Sequence, residues 1–598
     1  MTKTAVKDEA LHAARAQAVE PQPPAMRPLG GAPGGPGSMQ QTPMLPEDCP
    51  VVPLGKKGKE YFFLSADQTL YSILASKFTQ NEMISLYGGS LWYLEATWPR
   101  VGEKNKITGV STLECYAAHM ASCNAKGVWD PSSKLREGGG WREADGTLVL
   151  HCGNILFTKQ LNGVETQHRP GFLGYHVYSR CPSQPQPWPD RVTGKALEQL
   201  LAGFSTFAWG RGELDGYLLL GWCVAAQMGG AIKWRPGMWI IGAKGSGKST
   251  LQEMLENLFG GALVHASDAS AAGIYQALKL SSRPVTLDEM EAQEDNRRAQ
   301  AIVQLVRQAS SGGLVLRGGQ DHTGVEFNLR SSFLATSINH PPLGSQDLSR
   351  LTILELGKWQ GQPHGLSPDK LHELGRKILR RIVDGWPKWE ERLAMWRAGI
   401  MRLGHSDRFA DQFGTLLAAA DLALHDRVPH PDSVDTELER LKVHELTDRA
   451  EERSDARDML DYLLTTPLDL RPGARTSVAK MLEEFLGRTA DISEAARRRA
   501  DYDLQSIGLK PFFYEKHWWL AIASYHQGLA RVFDGSHWRG KSGAAGVWVQ
   551  AARRVSGAVV HPSPLRFNGV QFKVTLMPMD VVMPPEAAPL IENQGGTQ

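Results

Sequence analysis

The sequence predicts an α/β protein: a largely parallel sheet backed by a helical stretch, preceded by a mixed, strand-rich region and followed by an α+β unit. Three observations predict it. Residues from about 192 to 360 alternate helical and strand patterns, as parallel strands joined by helical crossovers do. Inside that span, Met238–Ile241 is a buried-strand run that meets a glycine-rich loop and then a helix, because Leu251, Met254, Leu255 and Leu258 follow helical spacing. From about 367 to 465 the pattern turns helical, with Leu416, Leu417, Ala420 and Leu424 on one face.

The chain has 598 residues, enough for roughly four folding units. Hydrophobic residues at 42% and charged residues at 22% exclude a mainly disordered protein. With 66 Lys+Arg against 64 Asp+Glu, the net charge of +2 excludes a polycation that coats nucleic acid by bulk charge, but not local basic surfaces. The cysteines at 49, 115, 123, 152, 181 and 223 form no CxxC pair, which excludes a zinc ribbon or thioredoxin-like motif. Cys115, His119 and Cys123 share one face if their stretch is helical. With no fourth ligand in view, a structural role outweighs zinc. Met1–Ala10 lacks the apolar segment of a secretory signal. Tyr217–Ile232, interrupted by Gln227 and three glycines, falls short of the ~20 residues that span a bilayer. A cytoplasmic location without membrane contact is expected.

Taken in order, residues 1–48 are rich in Pro, Gly, Ala and Gln and read as a tail or linker. In 49–190 the short apolar runs Tyr61–Leu64, Leu91–Leu94 and Leu148–Phe157 read as strands, punctuated by Gly138–Gly140 and Asp145-Gly146. The role of this mixed domain is not legible. Residues 191–360 form the α/β core and 361–465 a helical connector, within which Asp435–Arg457 reads as a solvated helix laced with ion pairs. Residues 466–585 return to short helices and hairpins, and 586–598 are a tail. Asn568-Gly569, inside Arg566–Phe572, supplies the positive φ that a two-residue turn needs.

Chemistry enters at Gly242-Ala243-Lys244-Gly245-Ser246-Gly247-Lys248-Ser249, followed by Thr250, which satisfies the P-loop pattern in the right strand–loop–helix setting. Glycines let backbone N–H groups curl around phosphates, and a helix N-terminus adds its dipole. Lys248 reaches the outer phosphates and Ser249 ligates Mg²⁺. Pro284–Glu289 reads as a second buried strand ending in two acids. Asp288 holds Mg²⁺ through water, and Glu289 polarises the attacking water as general base. That pair favours hydrolysis over a nucleotide kinase. Ser332–Asn339 is a third strand; Asn339 either orients the water or simply forms the turn before His340-Pro341-Pro342. Arg350, before the strand Leu351–Leu356, is either a finger reaching a neighbour's γ-phosphate or an ion-paired surface residue.

These motifs, in this order, resemble the core of an AAA+ ATPase over residues 200–360, with the helices to about 425 as a candidate lid. Residues 314–329 alternate around a glycine-rich polar tip and read as a β-hairpin. Standing before the Asn339 strand, it resembles the pre-sensor insertion of superfamily III and minichromosome-maintenance-type helicases, found in prophages and integrative elements. The resemblance implies a ring homo-hexamer that uses ATP and Mg²⁺, acts on single-stranded or forked DNA beside other replication proteins, and grips phosphates through Arg317 and His322. A merely structural hairpin is the alternative, since the tip carries Asp321 and no lysine. No paired-acid polymerase motif occurs in 50–190, so a primase is not expected. In the helical stretch Arg408 is either a second γ-phosphate sensor or, more simply, part of a helix-capping segment.

Residues 497–573 hold 12 Lys+Arg against 4 Asp+Glu. Arg497, Arg498 and Arg499 lie on or near a helix, and Phe512–Tyr514 pair with Trp518–Leu520 across a turn. Helix then hairpin resembles a winged-helix module, whose basic face contacts DNA. Core packing is the simpler role of most of these aromatics. The expected function is an ATP-dependent DNA helicase or translocase. The rivals are a regulatory ATPase that switches binding without unwinding and, third, a protein remodeller, which would want an aromatic pore loop.

Overall fold

Parallel strands need long crossovers, and residues 195–356 supply them as helices. The computed structural model describes residues 44–103, 106–267, 269–288, 290, 297–312, 314–318, 324–338, 347, 349–359, 364–446, 455–471, 474–488, 493–536, 538–539 and 546–584, with backbone alone at 297–299, 314–318, 324–328, 445, 455, 471 and 474. Helices α1 (Lys195–Phe204) and α2 (Glu213–Met228) precede strand β1 (Gly237–Gly242), and α3 (Lys248–Phe259) follows the glycine loop. Next come β2 (Val264–Ala266), α4 (Ala271–Leu278), β3 (Val285–Leu287) and α5 (Arg297–Ser311). An antiparallel hairpin of β4 (Leu314–Gly318) and β5 (Gly324–Asn328) then leads to β6 (Phe333–Ser337) and β7 (Leu351–Leu356). The sheet runs β2-β3-β6-β1-β7, parallel at every junction. β1 is flanked on both edges and Met238–Ile240 are buried, which is why this strand reads as an unbroken apolar run.

The helical stretch consists of α6 (Pro368–Gly385), α7 (Trp389–Arg402), α8 (Asp407–Leu424) and α9 (Pro431–Arg440). It is no separate layer. α2 is buried continuously from Leu214 to Met228, so cover on one side cannot satisfy it. α8 packs between α2 and α7 and is itself buried from Gly414 to Ala423, a wider face than Leu416, Leu417, Ala420 and Leu424 alone describe. Gly221 permits the close approach: a methyl group there would stand 2.0 Å from the Leu416 carbonyl oxygen. Leu218, Leu255, Leu354, Leu374 and Leu417 belong to one continuous core. Asp435–Arg457 is not one helix. α9 stops at Arg440 and Lys442 turns left-handed at φ 53°, before a short 3₁₀ turn at Val443–Glu445. Leu438, Leu441, Val443 and Leu446 in that stretch are buried, so the solvated reading fails there as well.

In the N-terminal region, Leu91–Leu94 lies in the helix Leu91–Thr97 and not in a strand. Four apolar residues are too few to separate a period of 2 from one of 3.6. Helix Thr112–Lys126 does line Cys115, His119 and Cys123 into a core with Tyr61, Phe63 and Tyr87. His119 Nδ1 donates to the Cys115 carbonyl at 2.7 Å and Nε2 accepts from the Tyr87 hydroxyl at 3.0 Å. Among the described residues no group of three or more His, Cys, Asp or Glu side chains is arranged to hold a metal. The later strands, Leu148–His151 and Leu156–Lys159, instead send Leu148, Leu150 and Phe157 into the central core. Arg380 of α6 fixes this edge through two bonds to Glu165, at 2.8 and 2.6 Å.

Beyond residue 454, α10 (Asp455–Thr465) contributes Met459, Leu460 and Leu463 to a C-terminal core and none of these to the central one. The hairpin of β8 (Leu468–Arg471) and β9 (Ala474–Thr476) follows, then α11 (Val478–Leu486), α12 (Glu494–Ser506), β10 (Leu509–Tyr514) and β11 (His517–Ala523). After two short helices come β12 (Val559–Val560), the hairpin β13 (Leu565–Phe567) and β14 (Val570–Phe572), and β15 (Val574–Pro578). The C-terminal sheet runs β10-β11-β15-β12. In the β13–β14 turn Asn568 and Gly569 have φ of 44° and 93°, as Asn-Gly favours, whereas in the β10–β11 turn Glu515 and Lys516 take φ of 50° and 65° against their own preference. Among the described residues no helix is long and apolar enough to cross a membrane.

Candidate nucleotide-binding site

A parallel sheet brings every carboxyl end to one edge, where ligands of open α/β folds bind. Here that edge carries the loop after β1, Asp288 after β3, Ser337 at the end of β6 and Leu356 at the end of β7. The loop needs its glycines. Gly245 and Gly247 have φ of 80° and 95°, the left-handed region that disfavours side chains. A methyl group at Gly242 would stand 2.6 Å from Ser246 Oγ and 2.8 Å from the Leu356 carbonyl. Ala243, Lys244 and Gly245 are exposed, Ser246 is buried, Ser249 is exposed, and Lys248 and Thr250 are half-buried. Lys248 Nζ donates to the carbonyls of Gly242 and Ala243. The loop thus presents backbone, a lysine ammonium and the positive end of the 12-residue α3 in one place.

Asp288 is held through both its backbone and its side chain. Its N–H donates to the Ala266 carbonyl at 3.0 Å, and its carboxylate accepts from the Thr336 hydroxyl. Thr336 in turn accepts from Gln252 Nε2 of α3 at 3.3 Å, so the glycine-loop helix and the acid share one buried relay. Met290 N–H donates to the Thr336 carbonyl at 3.0 Å, strapping the chain beyond Asp288 onto β6. Glu289 and Asn339 lie outside the described residues. β3 is separated from β1 by β6 alone, so Asp288 stands about 10 Å across the sheet from the loop. That spacing suits an acid acting through water better than one sharing a first coordination sphere with Ser249.

Arg350 is at the opposite edge. Leu351, next to it, pairs with Gly237, while Leu356 pairs with Gly242. At ~3.3 Å per residue, Arg350 stands about 20 Å from its own chain's loop. Arg307 pairs with Asp347 at 3.3 Å, and Arg408 Nη1 donates to Ser349 Oγ at 3.5 Å. Burial lowers the Arg350 pKa from the ordinary guanidinium value, and the nearby Arg408 and Arg307 charges lower it further. The structure thus gathers Arg307, Arg408 and Asp347 around Arg350.

The hairpin is formed as its alternation indicates, with Arg317 opposite Val325 and Gly318 opposite Gly324. The Arg317 side chain and the tip with His322 lie outside the described residues. Arg497, Arg498 and Arg499 all sit exposed on α12, Arg498 pairing with Glu494 at 2.5 Å.

Sequence reasoning missed Thr336 and Gln252, and also two aromatic rings. A methyl group at Gly247 would stand 3.2 Å from Phe207 and 3.5 Å from Trp359, so both rings wall one side of the loop. An antiparallel bridge between Trp209 and Leu356 brings the segment before α2 to the end of β7, a pairing no local motif signals.

No family model matches the chain, and no curated protein matches it. Among solved structures it is similar to the apo C-terminal region of NrS-1, residues 305–718, at 12% identity and TM-score 0.32, covering 88% of this chain and 95% of that one. It is also similar to the A form of the apo NrS-1 C-terminal region, at 11% identity and TM-score 0.32, covering 88% and 96%.

Proposed function

We propose that this chain is an ATP hydrolase of the AAA+ type that acts on DNA, a helicase or translocase working as a ring homo-hexamer in the replication of a phage or mobile element. The observation that carries the reading is the convergence of the loop Gly242–Thr250, Asp288 and the end of β6 on the carboxyl edge of a parallel sheet. The exposed backbone of Ala243–Gly245 and the N-terminus of α3 cradle the phosphates, and Lys248 turns from its carbonyl partners to the outer ones. Magnesium bound with ATP draws charge from the phosphate oxygens. The Ser249 hydroxyl and, through water, Asp288 are the groups that fit it. Glu289 takes the proton of the attacking water and Asn339 orients that water.

Arg350 cannot serve its own loop from about 20 Å, so in this reading it stabilises charge on the neighbour's γ-phosphate, which makes a closed ring necessary. Arg317 and His322 on the hairpin contact the single strand, and Arg497, Arg498 and Arg499 contact phosphates of the duplex ahead. The test is ATP hydrolysis with and without single-stranded DNA by the wild type, Lys248→Ala and an Arg317→Ala/His322→Ala double variant. Strong stimulation by DNA, lost in the hairpin variant, is expected. Turnover that ignores DNA yet vanishes in Lys248→Ala would leave a regulatory ATPase in its place.

A further inference from the structure

β10 and β11 run longer than the sheet that anchors them. β15 pairs with β11 only from Trp519 onward, so Phe513, Tyr514, His517 and Trp518 pair with each other and project beyond it. The buried part of the hairpin lies at its base, where Leu509 faces Ile522. At the projecting end Phe513 is 58% exposed and Trp518 40%. Burial of such a ring stabilises a fold, and the fold forgoes part of that stabilisation twice here. The two rings stand opposite each other with centroids 5.3 Å apart. Trp518 continues to Phe485 of α11 at 5.5 Å, and the Arg497 guanidinium lies over that ring at 5.2 Å. Three rings and a cation therefore form a row from the hairpin to α12.

We propose that this row is a stacking platform for unpaired bases of single-stranded DNA. The choice of occupant follows from charge and from the π-faces. Beside the platform stand Lys516 in the turn and Arg497 over Phe485, with Glu515 as an acidic neighbour, while Arg498, paired with Glu494, and Arg499 are exposed on the same helix. The surrounding segment 497–573 carries 12 Lys+Arg against 4 Asp+Glu in a chain otherwise near balance. An apolar protein partner calls for no such excess, and a duplex hides the base faces that exposed rings can stack on. The inference rests on the DNA part of the proposed function and not on hydrolysis.

The test uses the full chain carrying Lys248→Ala, without ATP, so that loss of turnover cannot be confused with loss of binding. Fluorescence anisotropy reads the affinity for labelled oligothymidylate and for an abasic oligonucleotide of equal length across a salt series. Phe513→Ala/Trp518→Ala is expected to weaken oligothymidylate binding at least about fivefold with an unchanged salt slope, and Trp518→Phe to restore most of it. Arg497→Ala is expected to reduce the slope. The unsubstituted platform should bind the abasic strand as weakly as the double alanine binds oligothymidylate. Equal affinity for the two oligonucleotides, or an unchanged affinity of the double variant, overturns the proposal and leaves the rings as a protein-docking surface.

Discussion

The hydroxyl of Thr336 donates to the carboxylate of Asp288, joining the end of β6 to the acid that follows β3. Because Thr336 also accepts from Gln252, a residue one turn into α3, the orientation of the acid is coupled to the helix that starts at the glycine loop. Valine at position 336 keeps the shape and removes the relay. Thr336→Val is expected to lower ATP turnover about tenfold and raise the magnesium concentration needed for half-maximal rate, the loss of one hydrogen bond to a charged group being worth about 1.5–3 kcal/mol. Steady-state phosphate release against magnesium concentration checks it. An unaltered magnesium dependence sinks the positioning role.

Arg350 and Lys248 sit at opposite edges of the same sheet. If Arg350 serves a neighbouring subunit, Arg350→Ala and Lys248→Ala are each inactive alone, yet mixing them recovers part of the activity, because some interfaces then join an intact loop to an intact arginine. Turnover across mixing ratios is the measurement. A strictly additive zero would show that no site is completed between subunits.

His119 and His151 are buried with both ring nitrogens engaged. His119 donates to Cys115 and accepts from Tyr87, while His151 Nε2 donates to the Ser179 carbonyl and Nδ1 accepts from Gly153 N–H. Protonation would strip the accepting nitrogen of its donor, and burial lowers both pKa values to about 4. The unfolded value is about 6.5, so the unfolded chain binds protons first as pH falls. The stability these residues contribute is complete above about pH 6.5 and is lost on acidification toward pH 4, by about 3 kcal/mol each. Urea denaturation between pH 7 and 4 is expected to show the N-terminal region weakening in this window, with a shallower slope in His119→Gln.

Gly221 admits no side chain because the Leu416 carbonyl stands where its methyl would be. Gly221→Ala is expected to cost about 3 kcal/mol or more, as strong overpacking does, and to lower the melting temperature of the central unit. Gly273→Ala, whose methyl would meet nothing closer than Ser270 Oγ at 3.4 Å, is the control and should be neutral or stabilising.

What could be read in the sequence was whatever a local pattern dictates. The Gly242–Ser249 loop, the strand β1, the β4–β5 hairpin and the turn at Asn568 each follow from spacing or from a residue's own backbone preference. What could not be read depends on partners distant in the chain. Phe207 and Trp359 meet at Gly247 beside the bridge of Trp209 to Leu356, and Thr336 gains its role from the register that sets β6 between β1 and β3. Leu91–Leu94 was too short a run to declare its period. The break at Lys442 lay in a stretch whose charges suited a continuous helix equally well.

The shared burial of α2 and α8 has a mechanical consequence. A helix welded to its neighbours along its whole length transmits displacement and does not absorb it, since tightly packed interiors yield little. Among the described residues, α2 and α8 share one continuous core with the sheet. If the proposed hydrolysis at the carboxyl edge generates force, that shared core would carry it as movement of a block and not of a single helix.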